Sequence, residues 1–340
     1  MRKKDKLPTI SAVITTFNSE RTIRKCLKAL RSQDYPQKNL EILVVDGGSK
    51  DKTLEIAKAF GVKIVKVPPE KQGAEYNKAV GVNRAKNELL LLLDHDNILP
   101  HKKWLRKMVK PMLENKDVVG VEPLRFHYDP KMSLLDRYFA LFGGSDPVPY
   151  YFGKNSHLSW AFDKYNLWGG AKDLGEYYLV KFSPEKVPAL GANGALVRRK
   201  LLLTEAKADL KHFFHIDVQV DLIRKGFNTY AFTKDTIIHL TNNKLIPFLL
   251  RRKYYIEKYH FQDFSLRRFS VYEPEKDRVN LIKYIFFSVT IVVPLFDAIR
   301  GFIKIRDVAW FIHPLMCLGM LVVYGIPTLR EELKRVFLEK

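Results

Sequence analysis

Leu89-Leu-Leu-Leu-Leu-Asp-His-Asp-Asn-Ile-Leu-Pro100 is the stretch on which the fold turns. Five leucines run into two aspartates, Asp94 and Asp96. The apolar run is short and a turn signal closes it, which predicts a strand buried on both faces, as in a parallel sheet. Residues i and i+2 of a strand point to the same side, so both carboxylates sit together at its C-terminal edge. In an open α/β sheet that edge is where ligands bind. Two hard oxygen ligands there suit a divalent cation that also holds phosphate oxygens. A surface turn, with the aspartates only capping the next helix, fits the same spacing.

The surrounding chain favours the first alternative. Thr9–Thr16 and Leu40–Val45 are β-branched and apolar, and Val62–Val67 is a third strand candidate. Helical spacing follows the first strand over Arg21–Ser32, with Ile23, Leu27 and Leu30 on one face. Lys52–Phe60 and Gly73–Ala85 are further helices. Alternating strands and helices predict an α/β domain built on a mostly parallel, Rossmann-like sheet. Asp46, followed by Gly47 and Gly48, ends the second strand and can face the same crevice as Asp94.

A chain of 340 residues holds one large domain with an appendage, or two domains. Net charge is +21, which suits nucleic acid, an anionic membrane surface or an anionic substrate such as a sugar nucleotide. Cys26 and Cys317 are the two cysteines, too few for a disulfide framework or a cysteine metal cluster. The basic start, Met1–Lys6, has no apolar run of signal-peptide length, which predicts a catalytic part on the cytoplasmic side.

Four stretches together resemble the family 2 glycosyltransferases of the GT-A fold. They are Val13-Ile-Thr-Thr-Phe-Asn18, Val44-Val-Asp-Gly-Gly-Ser-Lys-Asp-Lys-Thr53, Gly81-Val-Asn-Arg-Ala-Lys-Asn-Glu88 and Leu93-Asp-His-Asp96. All precede Pro100 and keep the family's order and spacing; the likeness fades after Pro123. The resemblance implies a nucleoside-diphosphate sugar donor, a UDP- or GDP-sugar, and a divalent metal, Mn²⁺ or Mg²⁺. It places Phe17 against the nucleobase, with Thr15 beside it, and gives Asp46 to the nucleotide-binding turn. Gly47 stands where the family often has a second aspartate that contacts the base. Lys78 falls where relatives often carry an arginine for the diphosphate. Asp94 would meet the ribose side and Asp96 the metal, with His95 pointing away. Core packing for Phe17 and a solvated helix position for Lys78 are the plainer alternatives.

Beyond the resemblance's strongest part, Lys102–Leu113 reads as a basic amphipathic helix and Val118–Glu122 as a strand. Asp129–Asp173 is aromatic and irregular, either a functional loop or an insertion packed on the domain. Gly191-Ala-Asn-Gly194 looks like the acceptor-side segment of these transferases, with Gly191, Asn193 and Gly194 as its site residues. In Phe213-Phe-His-Ile-Asp-Val-Gln-Val-Asp-Leu-Ile-Arg-Lys-Gly226 the family pattern implies a general base, assigned to Asp217, with Asp221 as runner-up. Inverting transfer needs a carboxylate to take the acceptor hydroxyl's proton; a helix cap is the plain alternative for Asp217. The family's acidic pair is reduced here, because His215-Ile216 precede Asp217. His239, ending the strand Thr236–Leu240, matches a third metal ligand; imidazole with carboxylate suits Mn²⁺ better than Mg²⁺.

Lys244–Arg268 is basic and aromatic, and Leu245, Phe248, Leu249, Ile256 and Tyr259 form one stripe, as in a helix lying at a membrane interface; a basic patch facing diphosphate and a solvated helix face fit the same residues. Lys258, His260, Arg267 and Arg268 belong to the same basic stretch. Leu281–Ile299 and Val308–Pro327 are each apolar over bilayer length. The short connector between them predicts a helical hairpin. Lys276, Arg278 and Lys283 before it and Lys334 and Arg335 after it put both ends inside; Arg300, Lys304 and Arg306 in the connector pull the other way.

The expectation is a GT-A domain over 1–243, a basic connector over 244–278 and membrane-associated helices over 279–340. Its function would be metal-dependent, inverting transfer to a lipid-linked or membrane-proximal hydroxyl, with membrane lipids as partners. Transfer to a polyprenyl phosphate is the rival within the class. A non-catalytic nucleotide- or membrane-binding scaffold is the rival outside it. The chain has no nucleic-acid motif, so no nucleic-acid partner is expected. Sequence leaves the oligomeric state open.

Overall fold

Each apolar run before residue 100 becomes a strand. A computed structural model describes residues 7–191, 193–241, 243–257 and 266–338. The expectations for Met1–Lys6, Lys258, Tyr259 and His260, and for the side chains of Lys334 and Arg335, lie outside the described residues. The described chain divides into two units, 1–127 with 167–240, and 128–166 with 241–340.

In the first unit β1 (Ile10–Thr16), α1 (Ile23–Arg31), β2 (Leu40–Asp46), α2 (Thr53–Ala59), β3 (Lys63–Lys66), α3 (Ala74–Arg84) and β4 (Leu89–Asp94) alternate. The short β5 (Asn97–Ile98), α4 (Trp104–Glu114) and β6 (Gly120–Phe126) follow. The five leucines of β4 are at most 1% exposed. Burying each contributes roughly 1.5–3 kcal/mol, which fixes β4 at the centre of the sheet. Parallel pairing sets Thr15 opposite Asp94 and Thr16 opposite Asp46. The polar ends of three strands are therefore level at one edge.

After residue 167 the unit adds β7 (Gly170–Asp173), β8 (Tyr177–Lys181), β9 (Ala195–Arg198), α7 (Arg199–Glu205), α8 (His215–Arg224) and β10 (Thr229–His239). Sheet order is β3-β2-β1-β4-β9-β6-β10-β8-β7. Parallel pairing holds over β3-β2-β1-β4 and again between β6 and β10. β9 enters antiparallel to both β4 and β6, so the whole sheet is mixed. The turn around Gly191–Gly194 produces this reversal: it delivers the chain back along β4, and Gly194 N–H donates to the Leu92 carbonyl at 2.9 Å. β10 pairs antiparallel with β5, setting His239 opposite Asn97.

The second unit holds α5 (Leu134–Phe142), α6 (Pro147–Tyr151), α9 (Leu245–Tyr255), α10 (Pro274–Thr290), α11 (Val292–Lys304) and α12 (His313–Leu338). Its core joins Phe139 and Phe142 of α5 to Phe248, Trp310, Met316 and Met320. Residues 128–166 are thus built into the helical unit by their aromatics, and a division between the units falls at 240/241. The stripe expected to meet a membrane is also corrected. Phe248 and Ile256 are buried, and Leu245 and Leu249 pack on the same core, because α12 covers that face.

The expected hairpin of two straight spans is not formed. Leu281–Ile299 breaks at Ile291, which has φ +64°, and α10 and α11 bend by 78° there. Val308–Arg330 is continuous and apolar, long enough to cross a membrane. Leu315, Leu318, Val322, Ile326 and Leu329 are exposed along one stripe of α12, and Met316, Met320 and Val323 are buried on the other. Val279, Ile282, Phe286 and Val289 of α10 and Val292, Phe296, Ile299 and Ile303 of α11 are exposed as well.

Candidate active site

The level strand ends of the first unit gather most of the residues singled out above. Asp94 is fixed from two sides. Thr15 Oγ1–H donates to its Oδ1 at 2.7 Å, and Lys78 Nζ lies 3.0 Å from the same carboxylate. Burial would raise its pKa, but the Lys78 charge and the two hydrogen bonds hold it well below the usual carboxylate range. Burial would likewise lower Lys78; the carboxylates of Asp94 and Glu75 instead raise it. Lys78 is 3% exposed, so it is not a solvated helix lysine, and it pairs with Asp94.

Asp96 lies beyond the end of β4 and meets β10. Its Oδ2 is 3.5 Å from His239 Nε2, and the Leu240 N–H donates to its carbonyl at 3.0 Å. The His239 ring stacks on Phe126. Asp96 Oδ1 is buried without a hydrogen-bond partner. A buried carboxylate oxygen left unpaired is costly, and with an imidazole beside it the pair fits a divalent cation. Among the described residues no group of three or more His, Cys, Asp or Glu side chains gathers for a metal. Further ligands would have to come from substrate and water. His95 turns away, as expected, onto Thr22 Oγ1 at 2.7 Å.

Asp46 is committed to its own loop. It accepts from the Gly48 and Ser49 N–H groups at 3.0 and 2.9 Å and from the hydroxyls of Ser49 and Thr16, and is 1% exposed. Asp46 therefore shapes the turn that follows β2. Gly47 has no room for a side chain: a Cβ there would strike Gln72, and Asn77 lies close by. The space a side chain would need there is taken by the Gln72 stem and the Asn77 amide. Phe17 stands at the rim, 47% exposed, which excludes core packing and leaves its ring face open.

In the turn before β9, Asn193, with φ +55°, accepts from Asn97 Nδ2 at 3.0 Å. Asn97 Oδ1 in turn accepts the Asp94 N–H at 2.9 Å, tying this turn to the acidic pair. Gly191 has φ +97°, and a Cβ there would strike the His215 carbonyl, so the turn closes directly on the start of α8.

Asp217 is fully buried in the first turn of α8. Asp221 accepts the Lys207 N–H at 3.0 Å and holds a loop. The side chain that α8 presents beside Lys78 and Asp94 is His215. Its Nδ1 lies 2.5 Å from Glu75 Oε1, and its backbone N–H donates to Glu75 Oε2 at 2.8 Å. Burial pushes Glu75 up, yet His215 and Lys78 bring it down to about 2. Sequence reasoning missed Glu75. The available signal was its place one helical turn before Lys78.

Residues 11–161 match the family model described as glycosyl transferase family 2. Glycosyltransferase AglE of Haloferax volcanii is 34% identical over 137 residues, 39% of this chain and 44% of that protein. A Methanococcus voltae protein is 38% identical over 90 residues, 24% of this chain and 27% of its own. It is named dolichyl N-acetyl-alpha-D-glucosaminyl phosphate 3-beta-D-2,3-diacetamido-2,3-dideoxy-beta-D-glucuronosyltransferase. The chain spans less than half the length of these relatives. Among solved structures, the mannosyltransferase PcManGT of Pyrobaculum calidifontis, in complex with GDP-Man and Mn²⁺, aligns at TM-score 0.48 and 15% identity. That alignment covers 99% of this chain and 82% of that one. Glucosyl-3-phosphoglycerate synthase of Mycobacterium tuberculosis, with Mn²⁺, UDP-glucose and phosphoglyceric acid, aligns at TM-score 0.46 and 18% identity, over 71% and 74%. With four motifs, a mixed α/β sheet and a matching family model, residues 11–161 belong to the family 2 glycosyltransferases.

Proposed function

We propose that the chain transfers a sugar from a UDP- or GDP-sugar to a hydroxyl of a lipid-linked or membrane-proximal acceptor, with inversion and with Mn²⁺ or Mg²⁺. The observation that carries it is the edge at Asp94 and Asp96, where one carboxylate is neutralised by Lys78 and the other is left half-satisfied beside His239. Phe17 offers its ring to the nucleobase, and the Asp46 loop gives the base its seat. Thr15 and Lys78 hold Asp94 for the ribose. Asp96 and His239 would hold the cation, which supplies positive charge for the departing diphosphate. Gly191, Asn193 and Gly194 border the acceptor.

A lipid-linked acceptor is supported by the exposed apolar faces of α10, α11 and α12, since patches of that size on a soluble surface mark an interaction site. The name of the Methanococcus voltae relative, which refers to a dolichyl-phosphate-linked sugar, points the same way. The catalytic unit is assigned to the cytoplasmic side of that membrane.

The test is release of nucleoside diphosphate from UDP- and GDP-sugars by the full chain in vesicles containing polyprenyl-phosphate-linked sugars. Metal-dependent release with a glycosylated lipid product supports the proposal. Sugar transfer to bare polyprenyl phosphate would replace the hydroxyl acceptor with a phosphate. No turnover of any donor would leave a nucleotide- or membrane-binding scaffold.

A further inference from the structure

We propose that His215 is the general base of this transfer and that Glu75 is the positioning residue that holds its tautomer. The inference rests on the transferase function above. It differs from the expectation for this family, in which a carboxylate takes the proton.

The geometry is local to α3 and α8. Glu75 engages His215 twice, at the ring Nδ1 and at the backbone N–H. An ionised carboxylate can only accept, so the Nδ1 position carries the hydrogen and Nε2 of the neutral ring keeps its lone pair. Among the described residues no hydrogen bond engages Nε2. The ring remains partly accessible, at 21% side-chain exposure, whereas Asp217 is enclosed. Two residues apart on a helix, side chains do not share a face. α8 presents His215, partly exposed, beside Lys78 and Asp94. The Glu75–His215 pair stands next to Lys78 and Asp94, beside the donor site, and Gly191 brings the acceptor-side turn against the His215 carbonyl. A base oriented by a carboxylate on its far nitrogen is the arrangement that activates hydroxyl nucleophiles on many folds.

In the step itself the acceptor oxygen forms a bond to C1 of the sugar as its proton passes to His215 Nε2. The bond from C1 to the diphosphate oxygen breaks, and its electron pair leaves with the nucleoside diphosphate. Glu75 stays ionised and stabilises the imidazolium.

Hydrolysis of a donor by water needs the same proton transfer and does not require the acceptor to be known. The full chain is assayed for nucleoside diphosphate release from UDP- and GDP-sugars, and for thermal stabilisation by the same donors. His215→Ala is expected to slow release on the order of 100-fold, with donor stabilisation intact. Added imidazole should restore part of the rate, and His215→Asp should restore part without it. Glu75→Gln should lower kcat about tenfold and leave KM unchanged. Release by His215→Ala at the unaltered rate, or a loss that neither imidazole nor aspartate repairs, overturns the assignment to His215 alone. If the unaltered chain neither binds nor turns over any donor, the transferase function fails and the base goes with it.

Discussion

The strand-end site of the first unit and the helices of the second treat their polar and apolar groups in opposite ways. At the site, charges sit in low-exposure positions and nearly every one is answered: Asp94 by Lys78 and Thr15, Glu75 by His215, Asp46 by its own loop. The conspicuous gap is Asp96 Oδ1. In the second unit the core is closed, yet α10, α11 and α12 also turn apolar stripes outward. A helix apolar on both faces belongs in a large core or in lipid. The contrast teaches that the first unit gathers and pairs its charges at one edge, whereas the second leaves apolar stripes outside a closed core.

The sharpest way to break the first half of this contrast is Asp96→Ala. It removes the unanswered carboxylate, so metal-dependent donor turnover should fall on the order of 1000-fold, measured as nucleoside diphosphate release. Unaltered turnover would mean that the gap is accidental. For the second half, Leu315→Glu, Leu318→Glu and Val322→Glu add charge to the exposed stripe of α12. Each costs roughly 2–3 kcal/mol if that stripe lies in hydrocarbon and within about 0.5 kcal/mol if it faces water. Flotation with anionic vesicles should drop at least tenfold for the triple variant; unchanged flotation would return the stripe to water.

Acid titration probes the answered charges. The pKa of Glu75 is lowered by folding, to about 2 from an ordinary value of 4.5. Its stabilisation is therefore complete above the ordinary value and is lost as pH falls from 4.5 towards 2. About 3 kcal/mol is at stake. Thermal melts in detergent should show a shallower acid decline for Glu75→Gln than for the unaltered chain, and parallel declines would contradict the ion pair. The smallest effect concerns the rim. Phe17→Ala should weaken donor binding about tenfold through lost base stacking, roughly 1–3 kcal/mol, with Tm in the absence of donor unchanged. Equal donor affinity would remove Phe17 from the site.

The donor half of the site was readable in the sequence because it is local to strand ends. Five leucines fix β4 with Asp94 at its end, and parallel pairing of β1, β2 and β4 follows from their alternation with helices; Asp96 lies in the turn beyond, outside the i, i+2 rule of a strand. What lies beyond residue 120 depends on long-range return of the chain. The reversal at Gly191–Gly194 makes the sheet mixed, and the pairing of β10 with β5 brings His239 to Asp96. Spacing did not contain that; the family resemblance suggested it. The burial of Asp217 was not readable, because a motif gives order along the chain but not the face of a helix. His215 was visible only as a departure from the pattern, and its partner Glu75 lies on α3, 140 residues away in sequence. The break at Ile291 was hidden for a related reason: hydropathy sums over a window and is blind to one residue in a left-handed conformation.

The most direct measurement is the thermal melt of the full chain in detergent across UDP-, GDP-, CMP- and dTDP-sugars, with and without Mn²⁺ or Mg²⁺. A ligand bound only by the folded state raises Tm by mass action. The account predicts that a UDP- or GDP-sugar raises Tm only when metal is present, and that Asp96→Ala abolishes the rise. Melts that no nucleotide sugar shifts under any metal condition would contradict it.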